Sequence, residues 1–285
     1  MDEHLNVLTL RCATRRGLVA SVTSLIAACG GDIHEAQQFD DLDLGNFFMR
    51  VVVRLPPPEA ESFEQRFESI GAEFGMRWRF RRLSDRKRVL MFVSKSDHCL
   101  GDLLYRRRIG EFDMDVVGIV SNHPRESMRV SLIDDIPFHF LPVTKETKQL
   151  QEGQIKQIVE SSSADLVVLA RYMQILSADL AGYLSGRCIN IHHSFLPGFK
   201  GARPYDQAYG RGVKMIGATA HYVTSDLDEG PIIAQDVELI SHSDRPEDLV
   251  SKGRDIERRV LARAVKYHLE DRIFVNGPKT VVFKG

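Results

Sequence analysis

Asn190 and His192 stand two residues apart at the end of the apolar run 188–191. In an extended segment residues i and i+2 point to the same side. An amide and an imidazole therefore leave the strand together as it gives way to His193, Ser194, Phe195, Leu196 and Pro197. A second apolar run, 215–223, contains His221 and ends in the polar turn Thr224-Ser225-Asp226-Leu227-Asp228-Glu229-Gly230-Pro231. An amide donor, an imidazole and the carboxylate of Asp228 on adjacent strand ends are the parts needed to work on a carbonyl. The first two can steady a developing oxyanion, and the carboxylate or the imidazole can move a proton. Each residue alone also suits ordinary turn chemistry; the three together point to a site.

The elements that would position them follow from periodicity. Residues 5–12 read as a strand, 17–29 as an amphipathic helix ended by Gly30-Gly31, and 33–39 and 46–55 as two further strands. Pro56-Pro57-Pro58 stops the third strand, and a helix over 59–74 and a strand over 76–83 complete a βαββαβ order, the small ferredoxin-like module. Arg77, Arg79 and Arg81 alternate with Trp78 and Phe80, and Arg82, Arg86, Lys87 and Arg88 extend a basic cluster of a kind that can bind RNA. The period of two accounts for it more simply: Trp78 and Phe80 face the helices, and the arginines face solvent or a second copy of the sheet.

Residues 84–88 are expected to be a linker. Beyond it, strands are expected over 89–93, 115–120, 138–141, 166–170, 188–191 and 215–223, with helices over 99–108, 146–161, 178–184 and 205–211. Several of these strands are continuous apolar runs, as in a sheet covered on both faces. The expected fold is therefore α/β, with an open, mostly parallel, Rossmann-like sheet and a site at the strand carboxyl ends. A strand over 231–240 and a helix over 246–269, capped by Asp244, follow. The domain plan is 1–83, a linker at 84–88, and 89–285. At 285 residues the chain is long enough for two domains, and a formal net charge of −1 supplies no reason for a nucleic-acid or membrane partner. The charged start and the lack of a long apolar run predict no signal peptide or membrane span. Four cysteines without a CxxC pair suit reduced thiols, so a cytoplasmic protein is expected.

The stretches 190–197 and 221–231 resemble the active-site signature of the tetrahydrofolate-dependent formyltransferases and deformylases: Asn-x-His, Ser-x-Leu-Pro, then His-x-Val-x(4)-Asp-x-Gly-Pro. Asn190, His192 and Asp228 fall on its three catalytic positions. The front module resembles an ACT domain, a regulatory unit that pairs between subunits and binds an amino acid. The resemblance runs through the strand–loop–helix 12–19, where Thr14, Arg15, Arg16 and Gly17 replace the usual Asp-x-Pro-Gly, and it makes Gly17 and Leu18 the regulatory candidates. An ACT-like front on a formyltransferase-like body resembles the formyltetrahydrofolate deformylases. Glycinamide ribonucleotide transformylase lacks that front. Methionyl-tRNA formyltransferase adds a barrel for which the 16 residues after Leu269 are too few.

The resemblance implies hydrolysis of 10-formyltetrahydrofolate to formate and tetrahydrofolate, serving the one-carbon pool and purine biosynthesis, with no cofactor besides the folate substrate. Asn190 and His192 would stabilise the oxyanion. Asp228 would orient and deprotonate water, directly or through His192, and which of the two is the base stays open. Met173, Gln174 and Leu176 match one pterin-pocket stretch, and Val223, Thr224 and Asp226 the other. The segment 92–104 carries Lys95, Asp97 and His98 where a transformylase has a glycine-rich phosphate cradle at a helix start. His98, Cys99 and Leu100 are expected to fill the place of the phosphorylated amine, and Lys95 to attract an anion such as formate. His193 stands where transformylases carry proline. The implied partners are folate, water, an amino-acid effector and further copies of the chain, as a tetramer or hexamer. Arg106, Arg107 and Arg108 read as a solvated helix end or as an attractor for a polyglutamate tail.

Three other readings compete. Formyl transfer to an amine would need the cradle that is missing. A metal hydrolase could use His192, His221 and Asp228, but adjacent His192 and His193 should diverge, and no metal is expected. A non-catalytic amino-acid sensor would have no need to retain the three polar residues.

Overall fold

The computed structural model describes residues 4–133, 135–196 and 204–285. Among them β1 (Leu5–Ala13), α1 (Leu18–Ala28), β2 (Asp32–Asp41), β3 (Asn46–Arg54), α2 (Pro57–Phe74) and β4 (Arg77–Arg82) follow in βαββαβ order. The strands pair antiparallel as β2-β3-β1-β4. Strand alternation sends Leu8, Leu10, Val51 and Val53 to one face, where they meet Val22 and Ile26 of α1 and Phe63 and Phe67 of α2. Trp78 and Phe80 pack against the same core, with Phe67 and Trp78 edge-on at 4.9 Å. Gly17 opens α1 at φ 87°, a left-handed conformation natural to glycine. The Leu18 side chain is buried in the core, which leaves an effector only its backbone.

The second unit begins at β5 (Lys87–Val93), so Lys87 and Arg88 start a strand and do not belong to a linker. It continues with α3 (His98–Arg108), β6 (Met114–Ser121), β7 (Phe138–Phe140), α4 (Lys148–Ser161), β8 (Leu166–Leu169), α5 (Ala178–Tyr183), β9 (Cys188–His192), α6 (Pro204–Arg211), β10 (Met215–Tyr222), β11 (Ile232–Leu239) and α7 (Pro246–Leu269). The sheet order is β11-β10-β9-β8-β5-β6-β7. From β9 to β7 every pair is parallel, and β10 and β11 join antiparallel. β5 and β8 are buried along nearly their whole length, as strands covered on both faces must be. Asp244 does not cap α7: its carboxylate accepts from the Ser241 N–H and from Lys252, while Asp248 accepts the Arg245 N–H. No described helix is long and apolar enough to cross a membrane.

The tail departs most from expectation. β12 (Ile273–Asn276) and β13 (Lys279–Val282) pair as a two-stranded sheet. Glu270–Asn276 and Val281–Gly285 cluster with the first unit, not with the body to which 89–285 was assigned. The reason lies in β3, which is buried on both faces from Phe47 to Val53. Its helix-free face carries Phe48, which packs on Phe274 and, through it, Phe283, at ring distances of 5.6 and 5.5 Å. Arg50 on the same face is 2% exposed and reaches Glu35 at 3.0 Å and the Glu270 carbonyl at 3.0 Å. Arg272 also pairs with Glu35, at 2.8 Å, and Arg81 with Asp271, at 2.6 Å. Arg81 is thus committed to an ion pair and does not face solvent as its alternation suggested, whereas Arg77 and Arg79 are exposed.

Phe274 is only 8% exposed, so truncating it empties an apolar seat that the sheet cannot refill. Phe274→Ala should destabilise the N-terminal unit by about 3 kcal/mol in denaturant unfolding, the low end for a buried phenylalanine. A change below about 1 kcal/mol would mean that the tail adds nothing to this core.

Candidate active site

β9 presents Asn190 and His192 to one side, as alternate residues of a strand must be. β10 lies beside it in antiparallel register, with His221 opposite Asn190 and Thr219 opposite His192. His221 is therefore brought to Asn190 by strand pairing. The three groups are thus brought together by one strand, its antiparallel neighbour and the turn that follows. In that turn Asp228 adopts φ 57°, sparsely populated for a residue with a Cβ. The Asp226 carbonyl accepts from Thr224 Oγ1 and from the Glu229 N–H. Gly230 lies so close to the Tyr222 carbonyl that any Cβ would collide with it, and this approach lets the Pro231 carbonyl accept the Tyr222 N–H at 3.0 Å. Gly230 and the strained backbone together aim Asp228 at the strands.

The carboxylate lands between two imidazoles. His192 Nδ1 is 3.1 Å from Asp228 Oδ2, and His221 Nε2 is 3.6 Å from Oδ1. Asn190 Nδ2 lies 3.4 Å from Oδ1 and 3.3 Å from His221 Nε2, both long contacts. His221 Nδ1 is 2.9 Å from the Tyr222 carbonyl, which fixes that ring's orientation. Burial by itself would raise the Asp228 carboxyl. Hydrogen bonds from His192 and His221, and their charge, outweigh it and hold Asp228 well below the usual carboxylate range. His192 Nε2 is buried and has no hydrogen-bond partner among the described residues.

These groups line a cavity of about 590 Å³. Met173, Gln174 and Leu176 line it, as do Val223, Thr224 and Asp226. Met173 is 56% exposed, so it belongs to the opening of the cavity and is no core residue, while Leu176 packs on the core. The 171–177 segment is held from behind. Ser94 Oγ accepts the Met173 N–H and donates to Asn122, and the Ser94 N–H bonds the Arg171 carbonyl. Gln151 of α4 donates to the Tyr172 hydroxyl, whose pKa burial pushes up to about 12, and Glu152 accepts from Ser177.

His98 and His193 also line the cavity, as the sequence suggested. Lys95 does not: it is exposed, and Ser96 takes the place beside the cavity. Cys99 and Leu100 turn into the core, because α3 buries the face opposite His98. Asp97 is spent on the N–H groups of Arg129 and Val130. Pro197 of the signature lies outside the described residues. Arg106 pairs with Asp102 and Glu111.

His221, Arg171, Tyr205 and Glu257 are also part of the lining. Among the described residues, His98, Cys99 and Glu257 bring potential metal ligands within 4.8 Å of one another. Burial and the neighbouring Glu257 push the Cys99 thiol up, and Arg171 stands 3.3 Å from Glu257, so that carboxylate is already ion-paired. The adjacent His192 and His193 rings are 5.2 Å apart.

Residues 87–265 match the formyl transferase family. A formyltetrahydrofolate deformylase from Corynebacterium sp. (strain P-1) is 46% identical, the alignment covering 98% of this chain and 98% of the relative. One from Bacillus subtilis (strain 168) is 43% identical over 99% of this chain and 95% of its own. The crystal structure of a formyltetrahydrofolate deformylase from Burkholderia mallei ATCC 23344 superposes with a TM-score of 0.94 at 50% identity, covering 99% of this chain and 100% of the other.

Burial, reinforced by the Arg171 charge and opposed by Glu257, lowers His193 to about 4. An unfolded histidine binds its proton near pH 6.5. Because the folded pKa is depressed, the unfolded state holds more protons between those values. Stability should therefore fall as pH drops from about 6.5 to 4, and His193 should contribute no slope above 6.5. In a proton NMR titration the His193 ring should not shift between about pH 5.5 and 8. A midpoint near 6.5 would contradict this electrostatic account of the site.

Proposed function

The chain belongs to the formyltetrahydrofolate deformylases of the formyltransferase family, and from that premise we propose that Asn190, His192 and Asp228 carry its chemistry. The enzyme hydrolyses 10-formyltetrahydrofolate to formate and tetrahydrofolate. The observation that carries the assignment of roles is the Asp228 carboxylate held 3.1 Å from His192 beside Asn190.

Water adds to the formyl carbon, and the carbonyl oxygen takes up negative charge. Asn190 Nδ2 has two N–H groups and only long contacts, so it is free to turn one toward that oxygen. His192 offers its buried Nε2 while Asp228 fixes the ring through Nδ1. The water's proton passes to Asp228, directly or through His192. When the C–N10 bond breaks, the proton goes to N10 and formate departs. A carboxylate held well below its usual range remains ionised throughout the physiological range and keeps the His192 ring oriented. The folate ring is expected against Met173, Gln174 and Leu176 on one side and Val223, Thr224 and Asp226 on the other. These segments supply backbone groups beside an apolar surface, which suits a flat ring with polar edges.

The N-terminal unit fits an ACT-like regulatory module by its βαββαβ order and antiparallel sheet, with an amino acid bound near Gly17 and self-association into a tetramer or hexamer. Light scattering of the full chain should report a multiple of 32.3 kDa, and some amino acid should alter formate release. A monomer indifferent to all twenty amino acids would sink this part of the proposal.

With substrate labelled in the formyl group, the enzyme should yield free labelled formate, and essentially no formylated ribotide when glycinamide ribonucleotide is also supplied. Asp228→Asn keeps the side-chain shape and removes the proton acceptor, and it should slow release by about a hundredfold to ten-thousandfold with folate binding largely kept. Turnover above half of wild type would remove Asp228 from the mechanism.

A further inference from the structure

Glu257 of α7 is 1% exposed, yet three residues from three other parts of the body converge on its carboxylate. His98 Nε2, at the start of α3, lies 2.7 Å from Oε2. The Tyr205 hydroxyl, on α6, donates to Oε1 at 2.7 Å. Arg171, just past β8, places Nε 3.3 Å from Oε2. Two local costs show that this convergence is specified. Arg171 adopts φ 66°, a strained conformation for an arginine. Gly253 stands one turn before Glu257 in α7, where the Tyr205 ring passes so close that any Cβ would overlap it. A glycine in the middle of a helix weakens it, and here it lets the Tyr205 hydroxyl reach the carboxylate on the same helix face.

The cluster borders the reacting groups. All four residues line the cavity that holds Asn190, His192 and Asp228. His193 bridges the two sets, with its ring 6.3 Å from Tyr205 and 5.2 Å from His192. A carboxylate in such a place would ordinarily attract an amine, which is a cation at neutral pH. This one is occupied on both oxygens by His98 and Tyr205, and the Arg171 charge repels a second cation.

We infer that Glu257 is a positioning residue that selects the nucleophile. By tying His98 and Tyr205 across the cavity and balancing Arg171, it leaves room beside the formyl carbon for water and denies it to a primary amine. The inference rests on the hydrolytic reading of the site. The chemistry is the same for either nucleophile: its oxygen or nitrogen bonds the formyl carbon, the C–N10 bond breaks, and the proton the nucleophile loses ends on N10. Only the product differs, formate or an N-formyl amine.

The full-length enzyme would be given formyl-labelled substrate and an excess of glycinamide, and the ratio of formylglycinamide to formate measured. That ratio does not depend on how much protein is folded. Wild type should give formate almost alone. Glu257→Ala should raise the ratio by about tenfold or more, within the range that pocket shape commands. His98→Ala opens the same wall while leaving Glu257 its contacts with Arg171 and Tyr205, so it should move the ratio in the same direction, and it decides the matter if Glu257→Ala does not fold. Glu257→Gln keeps the shape and two hydrogen bonds and should stay within about threefold of wild type. Ratios no higher than wild type in both alanine variants would overturn the inference, as would a wild type that formylates glycinamide as readily as water. A wild type that releases no formate at all would instead sink the deformylase reading itself.

Discussion

A partly buried negative charge at Asp228 is the constraint that organises the candidate site. A carboxylate taken out of water must be given hydrogen bonds and opposite charge. His192 and His221 supply both, and Asn190 supplies a further N–H. Each of these partners depends on something structural. His192 and Asn190 need the strand period of β9, His221 needs the antiparallel register of β10, and Asp228 itself needs a left-handed turn closed over Gly230. A shift of one residue in that register would turn His221 to the other face of the sheet. The carboxylate would then be left with one imidazole.

Glu257 shows the opposite treatment of the same functional group. It is fully buried, where Asp228 is only partly so, and His98, Arg171 and Tyr205 hold it below its ordinary range against the cost of burial. Its partners occupy both oxygens at good hydrogen-bond distance, whereas Asp228 holds three partners at 3.1 Å or more. One carboxylate has both oxygens engaged by short hydrogen bonds, and the other is held by longer contacts from two imidazoles and an amide. Two acids in one site acquire separate roles through environment.

That Asn190, His192 and Asp228 come together was legible because strand alternation and turn chemistry are local. Asn190 and His192 share a face by a period of two, and the Asp/Gly/Pro turn announces itself. Most element boundaries were legible for the same reason. The partners brought by tertiary contact were not. His221 stood in the sequence motif, but its place beside Asn190 depends on the antiparallel register of β10 on β9, which no local pattern reveals. Arg171, Tyr205 and Glu257 look like unremarkable members of a loop and two helices, and only the packing of α7 gathers them. Lys95 misled because a positive charge near a helix start suggests an anion site, whereas its side chain faces solvent beyond the cavity. The tail escaped notice because Phe274 and Phe283 carry no periodic signal long enough to reveal that they cover a strand more than 200 residues earlier.

That distant covering has a consequence for the order in which the protein is made. A domain at the start of a chain generally folds first as it leaves the ribosome. Here the front sheet emerges with Phe48 and Arg50 bare, since the residues that shield them are translated more than 200 residues later. The Arg50–Glu270 and Arg272–Glu35 bonds span 220 and 237 residues. The whole catalytic body must therefore be synthesised before the first unit can finish its own core. During that interval the bare strand face is a surface on which a chaperone, or another nascent chain, can settle. Synthesis of residues 270–285 seals a unit begun more than 200 residues earlier.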